Sequence, residues 1–253
     1  MKRRARGFPD GSVVVRTFPV TFLHDVTQSR HEKGWHTFIY AVEGNLEVHT
    51  GGVRRLVPSD RAVWIPAGTQ CTTTMRAPIT MRSLFFAPGV LRKSPELRTV
   101  IVAPLLRELI QEVTRLGALD RESPRHRRLL GVLLDTIHEA PEAKLEVPTP
   151  IDPRARRFAE AVLADPSDTR PVGKIARSVG ASVRTLERCF ITETGLTLGQ
   201  WRRRVRLFHA MDRLERGASA TEAALEAGYQ SPSAFSQAFL RQFGRTPTGR
   251  RRR

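Results

Sequence analysis

The sequence predicts an α+β protein of several domains: an N-terminal β-barrel, a helical hairpin, and a C-terminal all-α domain with two helix-turn-helix motifs joined by a long helix. Three observations predict this order. Short β-rich runs fill residues 13–86, apolar residues recur at helical spacing over 96–140, and two similar helix-turn-helix patterns lie between 172 and 247. The predicted domains are the barrel at 1–95, the hairpin at 96–140, a linker at 141–150 and the all-α domain at 151–253.

Residues 1–95 contain the series of short strands. Runs at 37–42, 46–50 and 61–65 each end at glycine or another turn residue, and further runs occupy 71–75 and 81–86. Many short strands at such spacing favour a small barrel or a sandwich.

Two stretches of this region resemble the cupin barrels that are fused to certain bacterial regulators. They are Trp35-His36 with Glu43-Gly44, and the segment Val63-Trp64-Ile65-Pro66-Ala67-Gly68. The resemblance implies a site for a divalent metal as a candidate cofactor, since cupins commonly bind one through histidines and a carboxylate. The candidate ligands are His31, His36, Glu43 and Cys71.

The match to the metal-binding pattern is incomplete. The family usually places two histidines with one residue between them, whereas His31 and His36 are five positions apart, and Cys71 stands where a histidine is common. Cysteine also binds zinc and iron, so a metal stays open. The alternative is that these dispersed side chains pack in the core or face solvent.

The same region offers residues for a small-molecule effector pocket, because barrel interiors are concave and lined by alternate strand positions. The candidate lining residues are Trp35, His36, Tyr40 and Trp64. The alternative is that these side chains only fill a small barrel, because the sequence does not fix which face each strand presents.

Residues 96–140 change to helical periodicity. One apolar stripe runs from Leu105 to Leu116, Gly117 interrupts it, and a second stripe runs from Leu129 to Ile137. This pattern predicts a helical hairpin that contributes to a homodimer surface, or alternatively one whose stripes pack on each other and on the barrel. Three prolines within 141–150 predict an extended linker.

The helix-turn-helix pattern occurs twice in the remaining residues. Residues 172–190 contain a short amphipathic helix, a turn at Gly180, and Ser182 in position to cap a second helix. Residues 223–243 repeat this order with a turn at Gly228 and a cap at Ser231. Between them, 198–216 predicts one helix of about 28 Å, which could hold two recognition helices near one turn of B-DNA, about 34 Å, apart.

This region resembles the DNA-binding domain of the AraC/XylS transcription regulators over about 100 residues. The segments that carry the resemblance are 184–190, 193–202, 224–235 and the closing Phe243-Gly244 with Thr246-Pro247. Thr248-Gly249-Arg250 replaces the tyrosine-arginine close that is usual in the family.

The resemblance implies which residues contact DNA, with the first recognition helix doing most of the base reading. The candidate base contacts are Arg184, Thr185, Glu187, Arg188, Ser233 and Gln237. The candidate phosphate contacts are Ser182, Arg202, Arg203, Arg206, Ser231 and Arg241. Arginine can bind guanine with two donors and glutamine can pair with adenine, although a phosphate contact is the alternative for Arg188.

Charge and cysteine content agree with a DNA-binding module attached to a second domain. The chain has a net charge of +17, and residues 148–253 alone hold 20 basic and 10 acidic side chains, a net charge of +10. Cys71 and Cys189 fall in different predicted domains, so the sequence does not support a disulfide framework. No apolar run reaches the roughly 18 residues of a membrane span. These features predict a cytoplasmic, nucleoid-associated protein.

We therefore expect a sequence-specific transcription regulator without catalytic residues. Its expected partners are double-stranded promoter DNA, a small-molecule effector and RNA polymerase. Two alternatives stay open: a metal-dependent cupin enzyme with an accessory DNA-binding domain, and a constitutive DNA-binding protein with a vestigial barrel.

Overall fold

The computed structural model describes residues 11–30, 34–91, 96–143 and 145–248. These residues divide into two compact units. The first contains residues up to Val48 together with Val57–Lys144, and the second contains His49–Leu56 together with the residues from Leu145 onward. None of the helices in the described ranges combines the length and apolarity that crossing a bilayer requires.

The first unit is built on an antiparallel sheet. Its strands are β1 (Val13–Phe22), β2 (Val26–Arg30), β3 (His36–Thr50), β5 (Arg61–Ile65), β6 (Cys71–Phe86), β7 (Arg98–Ile101) and β8 (Ala118–Asp120), and β4 (Val53–Pro58) has its residues 53–56 in the second unit. The path of paired strands runs β7-β5-β3-β6-β1-β8, with β2 beside β6 and β4 beside β3.

The sheet is open, so the prediction of a closed barrel is wrong. Over the described residues, β7 and β8 lie at the two ends of the strand path and do not pair with each other. Helices α1 (Pro104–Leu116) and α2 (Pro124–Glu139) cover one face, where Leu106, Ile110 and Leu133 share a buried core with Phe38, Trp64 and Phe86. A sheet that packs helices on an apolar face buries that face without closing on itself.

The other sheet face has its own core. Ile39, Leu46, Val63, Met75 and Ile79 are among its buried members. Because successive side chains of a strand point to opposite faces, β3 sends Ile39 into this core and Tyr40 into the core under the helices.

The two longest strands continue through positions where the sequence predicted breaks. β3 passes through Gly44, and β6 passes through Pro78. Gly44 has a φ of 78°, and a Cβ at this position would overlap the carbonyl oxygen of Pro78. The glycine therefore lets two backbones approach closely, and it does not end a strand.

From Leu145 onward, the described residues of the second unit form a short strand and then six helices. β9 (Glu146–Pro148) lies within the predicted linker and pairs with β4 over Val53–Arg55. The helices that follow are α3 (Pro153–Ala164), α4 (Val172–Ser178), α5 (Val183–Thr194), α6 (Leu198–Glu215), α7 (Ala220–Glu226) and α8 (Pro232–Phe243).

Helix α6 joins two aromatic cores in this unit. Its Trp201 ring lies 5.1 Å from that of Phe190 on α5, and its Phe208 ring lies 5.8 Å from that of Phe243 on α8. The Trp201 indole also donates a hydrogen bond of 2.7 Å to the carbonyl of Pro148 on β9. The single helix thus fixes the helices on both sides of it.

Candidate nucleic-acid interface

Helices α4 and α5 form the first helix pair of the second unit. Ile175 and Ala176 of α4 and Leu186 and Phe190 of α5 are buried, and they fix the angle between the two helices. The Ser182 side chain accepts a hydrogen bond of 3.1 Å from the Thr185 backbone N–H, which caps the start of α5. The local sequence therefore determines where this helix begins and which side faces out.

The outward side of α5 carries two of the predicted base contacts. Arg184 and Arg188 are exposed and stand four residues apart, which places them on one face of the helix. Thr185 is half-buried, and its hydroxyl lies 2.9 Å from that of Ser182. Glu187 is half-buried too, and its carboxylate accepts from the backbone N–H of Leu198 at the start of α6 at 3.3 Å.

Helices α7 and α8 form the second pair. Ser231 caps α8 by accepting from the Ala234 N–H at 3.4 Å, and Phe235, Phe239 and Phe243 are buried on its inner side. Ser233 and Gln237 are exposed on the outer side, again four residues apart. Both helix pairs therefore combine a serine cap, a buried aromatic side and an exposed polar side.

The predicted phosphate contacts differ in their exposure to solvent and in their hydrogen bonds within the protein. Arg203 and Arg241 are exposed. By contrast, Arg202 and Arg206 both donate hydrogen bonds to the backbone carbonyl of Asp168, in the segment between α3 and α4. Arg202 is only 8% exposed, and this burial lowers the pKa of its guanidinium. Because the Asp168 carbonyl accepts its hydrogen bond, the Arg202 guanidinium already has a partner inside the unit.

In the first unit, the structure does not bring the four predicted effector residues into one pocket. Trp35 lines a small cavity with Ile39, Ile65 and Cys71, and the Arg16 guanidinium covers its ring at 4.2 Å. Tyr40 and Trp64 lie in the core under the helices instead, because strand alternation sends them to the opposite face. Tyr40 accepts a hydrogen bond from Arg107 there.

The cavity at Trp35 is about 20 Å³. A single water needs about 10 to 15 Å³ by the same kind of measure, so the cavity has room for one water and no more in this conformation. His36 is occupied nearby, since its Nδ1 accepts from the Ala67 N–H at 3.1 Å, and burial lowers its pKa.

Three of the four predicted metal ligands lie in the described residues, and the structure does not bring those three together. His31 lies outside the described residues. In the part of the chain that the structure describes, no three His, Cys, Asp or Glu side chains lie close enough together to bind a metal, so His36, Glu43 and Cys71 do not form a site. Glu43 is exposed, whereas Cys71 is buried among the cavity residues.

Comparison with known proteins decides the family. A family model described as a helix-turn-helix domain matches residues 175–253. The HTH-type transcriptional regulator NimR of Escherichia coli is 31% identical over 218 residues, which cover 86% of this chain and 79% of NimR. The chain belongs to the AraC family. It is a DNA-binding transcriptional regulator of that family, with an N-terminal sheet unit and a C-terminal helical unit.

Further relatives match a smaller part of the chain. The HTH-type transcriptional regulator RipA of Corynebacterium diphtheriae is 33% identical over 94 residues, covering 37% of this chain and 28% of RipA. The solved DNA-binding domain of AdpA in complex with a target DNA is 32% identical and covers 38% of this chain and 87% of that chain, with a TM-score of 0.35.

Sequence reasoning assigned no structural role to two residues that organise this AraC-family unit, although it placed Tyr229 in the turn before the second recognition helix. Asp168 supplies the carbonyl that holds Arg202 and Arg206, and nothing in its local pattern distinguishes it from other loop acids. Tyr229 follows Gly228 in the turn before α8 and packs its ring against Phe235 at 5.5 Å. For Tyr229, the available sequence signal was a tyrosine directly after a turn glycine.

Proposed function

We propose that this AraC-family regulator reads base edges in two successive major grooves, with α5 as the principal recognition helix and α8 as the second. The observation that carries the proposal is the exposed pair Arg184 and Arg188, on a helix whose other side is locked by Leu186 and Phe190. Arginine donors bind guanine O6 and N7 in the major groove. Helix α6, about 27 Å long at 1.5 Å per residue, separates the two recognition helices.

The remaining predicted contacts are proposed with roles that fit their surroundings. Thr185, Ser233 and Gln237 supply further base contacts, and Glu187 adds one only if its carboxylate leaves the Leu198 N–H. Ser182, Ser231, Arg203 and Arg241 contact phosphates, since the serines lie at helix N-termini and the arginines are exposed.

The base-reading role is tested by Arg188→Ala in the full-length protein. The probes are a duplex selected by the wild-type protein from a random pool and a scrambled duplex of equal length. We expect the ratio of the two affinities to fall by at least tenfold, because a good bidentate contact is worth about 1–3 kcal/mol of discrimination.

Arg156→Ala is the matched control, because Arg156 is an exposed arginine on α3, outside both helix pairs. It should leave the affinity ratio unchanged. Equal weakening of both duplexes by Arg188→Ala would reassign Arg188 to phosphate binding.

We also propose that the sheet unit regulates DNA binding through a small-molecule effector and that the protein acts as a homodimer that contacts RNA polymerase. The cavity at Trp35 is the proposed effector site. It has room for about one water, so it must enlarge when an effector binds. Leu105 on α1 and Val132 on α2 are 59% and 47% exposed, which supports the helical pair as a dimer surface. Sedimentation velocity of the full-length protein would contradict the dimer if it gave a monomer at all concentrations.

A further inference from the structure

A recess of about 330 Å³ opens within the second unit, beside the first half of α6. Three arginines of α6, Arg202, Arg203 and Arg206, line it, and the turn Gly228-Tyr229 closes it on the side of α8. The guanidinium of Arg206 lies directly against that turn, because a Cβ on Gly228 would be 2.8 Å from Arg206 Nη1. The absence of a side chain at residue 228 therefore leaves the space in which the guanidinium sits.

Two residues that line this recess each have a hydrogen-bond donor without a partner among the described residues. They are the Tyr229 hydroxyl and Arg206 Nε, and both atoms are buried. Buried donors are nearly always paired, and leaving one unpaired costs about 1–3 kcal/mol. An acceptor that enters the recess and reaches these donors would remove that cost.

The charge around Tyr229 is positive. Burial raises the pKa of its hydroxyl, and the nearby Arg203, Arg241 and Arg206 partly oppose that increase. The lining residues in the described part of the chain include no carboxylate, and Asp168 offers Arg202 and Arg206 only its backbone carbonyl, because its carboxylate pairs with Arg170. The site therefore has excess positive charge and an unpaired hydroxyl.

We infer that this recess binds a phosphate group, with Tyr229 and Arg206 as hydrogen-bond donors and Arg203 as the exposed charge. Phosphate oxygens accept several hydrogen bonds at once and suit guanidinium donors. Val172, the first residue of α4, also lines the recess, and Tyr229 stands two residues before Ser231, the cap of α8. The recess thus lies between the two helix pairs, with α4 of the first pair on one side and the turn of the second pair on the other.

This position makes the DNA backbone between two successive major grooves the natural source of the phosphate, and in that form the inference rests on the proposed function. A free phosphate anion has the same chemistry and is the second source. The two sources call for two arms of one experiment.

The first arm replaces single phosphates of the selected duplex with neutral methylphosphonates, one position at a time. The wild-type protein should lose about tenfold in affinity at one position between the two half-sites, as expected for a hydrogen bond to a charged group. Tyr229→Phe keeps the ring against Phe235 and removes only the hydroxyl. For this variant, the affinity loss that the methylphosphonate causes at that position should therefore be less than about threefold.

The chain provides a matched control, because its second tyrosine, Tyr40, lies in the first unit. Tyr40→Phe should reproduce the wild-type profile. Arg203→Gln should weaken binding to the selected duplex and reduce the salt dependence by about one phosphate contact. Arg216→Gln changes an arginine at the C-cap of the same helix, outside the recess, and should leave the wild-type methylphosphonate profile intact.

The second arm compares inorganic phosphate with chloride at equal ionic strength, without DNA, by thermal melting of the same proteins. A rise in melting temperature that Tyr229→Phe reduces and Tyr40→Phe does not would support the recess with free phosphate as its source. If Tyr229→Phe matches the wild type in both arms, the inference is overturned. If the wild-type protein shows no preference for any selected duplex, the proposed function fails and the second arm alone decides the recess.

Discussion

The carbonyl oxygen of Pro78 lies where a side chain at residue 44 would have to go, so any residue other than glycine at this position would overlap the backbone of β6. The sequence pattern placed a turn at this glycine because glycine so often ends a strand. The structural requirement comes instead from β6, more than thirty residues later in the chain. Local sequence carries no record of such a contact, so the long strand β3 could not be predicted from it.

Gly44→Ala should destabilise the first unit more than Gly68→Ala does. Both glycines have nearly the same φ, 78° and 77°, so both changes carry the left-handed backbone cost of about 1–2 kcal/mol. A Cβ at Gly68 meets nothing within 4 Å, whereas at Gly44 it overlaps backbone, which adds about 1–3 kcal/mol. Urea unfolding of the full-length variants measures the difference, and equal destabilisation would contradict this account.

The residue scale also shows which candidate side chains the sequence could locate. The exposure of Arg184 and Arg188 follows from helical spacing, because the apolar residues Leu186 and Phe190 determine the buried side. The separation of Trp35 from Tyr40 and Trp64 could not be derived from the sequence. Strand alternation assigns two residues to opposite faces only when the ends of the strands and the buried face of the sheet are already known.

At the scale of single elements, the helices of the second unit begin where their side chains cap them. Ser182 and Ser231 were predicted as caps from their positions before apolar runs. The structure adds two capping boxes, Thr197 with Gln200 on α6 and Ser219 with Glu222 on α7. By contrast, β8 and β9 have only three residues each, too few to show a period, and the sequence did not predict them.

Replacing Ser182 by alanine should separate helix capping from DNA binding. Loss of an N-cap costs about 1 kcal/mol, so Ser182→Ala and Ser219→Ala should lower the free energy of unfolding by similar amounts. Only Ser182 lies at the start of the proposed recognition helix α5, so only its loss should weaken binding to the selected duplex. Equal effects of both variants on DNA affinity would show that helix stability alone controls binding.

At the scale of the whole molecule, the sequence predicted two kinds of architecture, sheet and helix, in the right order. The closure of the sheet was the error. Whether a set of strands closes depends on pairing between the strands at the two ends of its path. Over the described residues these ends are β7 and β8, which do not pair with each other, and α1 and α2 cover one face. Such long-range pairing leaves no periodic signal in the sequence.

Each unit contains one buried cysteine, Cys71 in the first and Cys189 in the second. Burial raises the pKa of Cys189, which makes it unreactive until its unit opens. A saturating selected duplex at about 100 times its Kd should slow thiol labelling of Cys189 by about a hundredfold, because DNA binds only the folded unit. Labelling of Cys71 should not change. Equal protection of both thiols would mean that the units open together.

The second unit borrows residues 49–56 from the β3–β4 hairpin, where β4 pairs with β9 and Arg55 forms an ion pair of 2.8 Å with Glu146. A gene fusion that joined a foreign sensory domain at residue 145 would therefore leave β9 without its neighbouring strand. A fusion that keeps the second unit intact has to carry residues 49–56 as well as the residues from 145 onward.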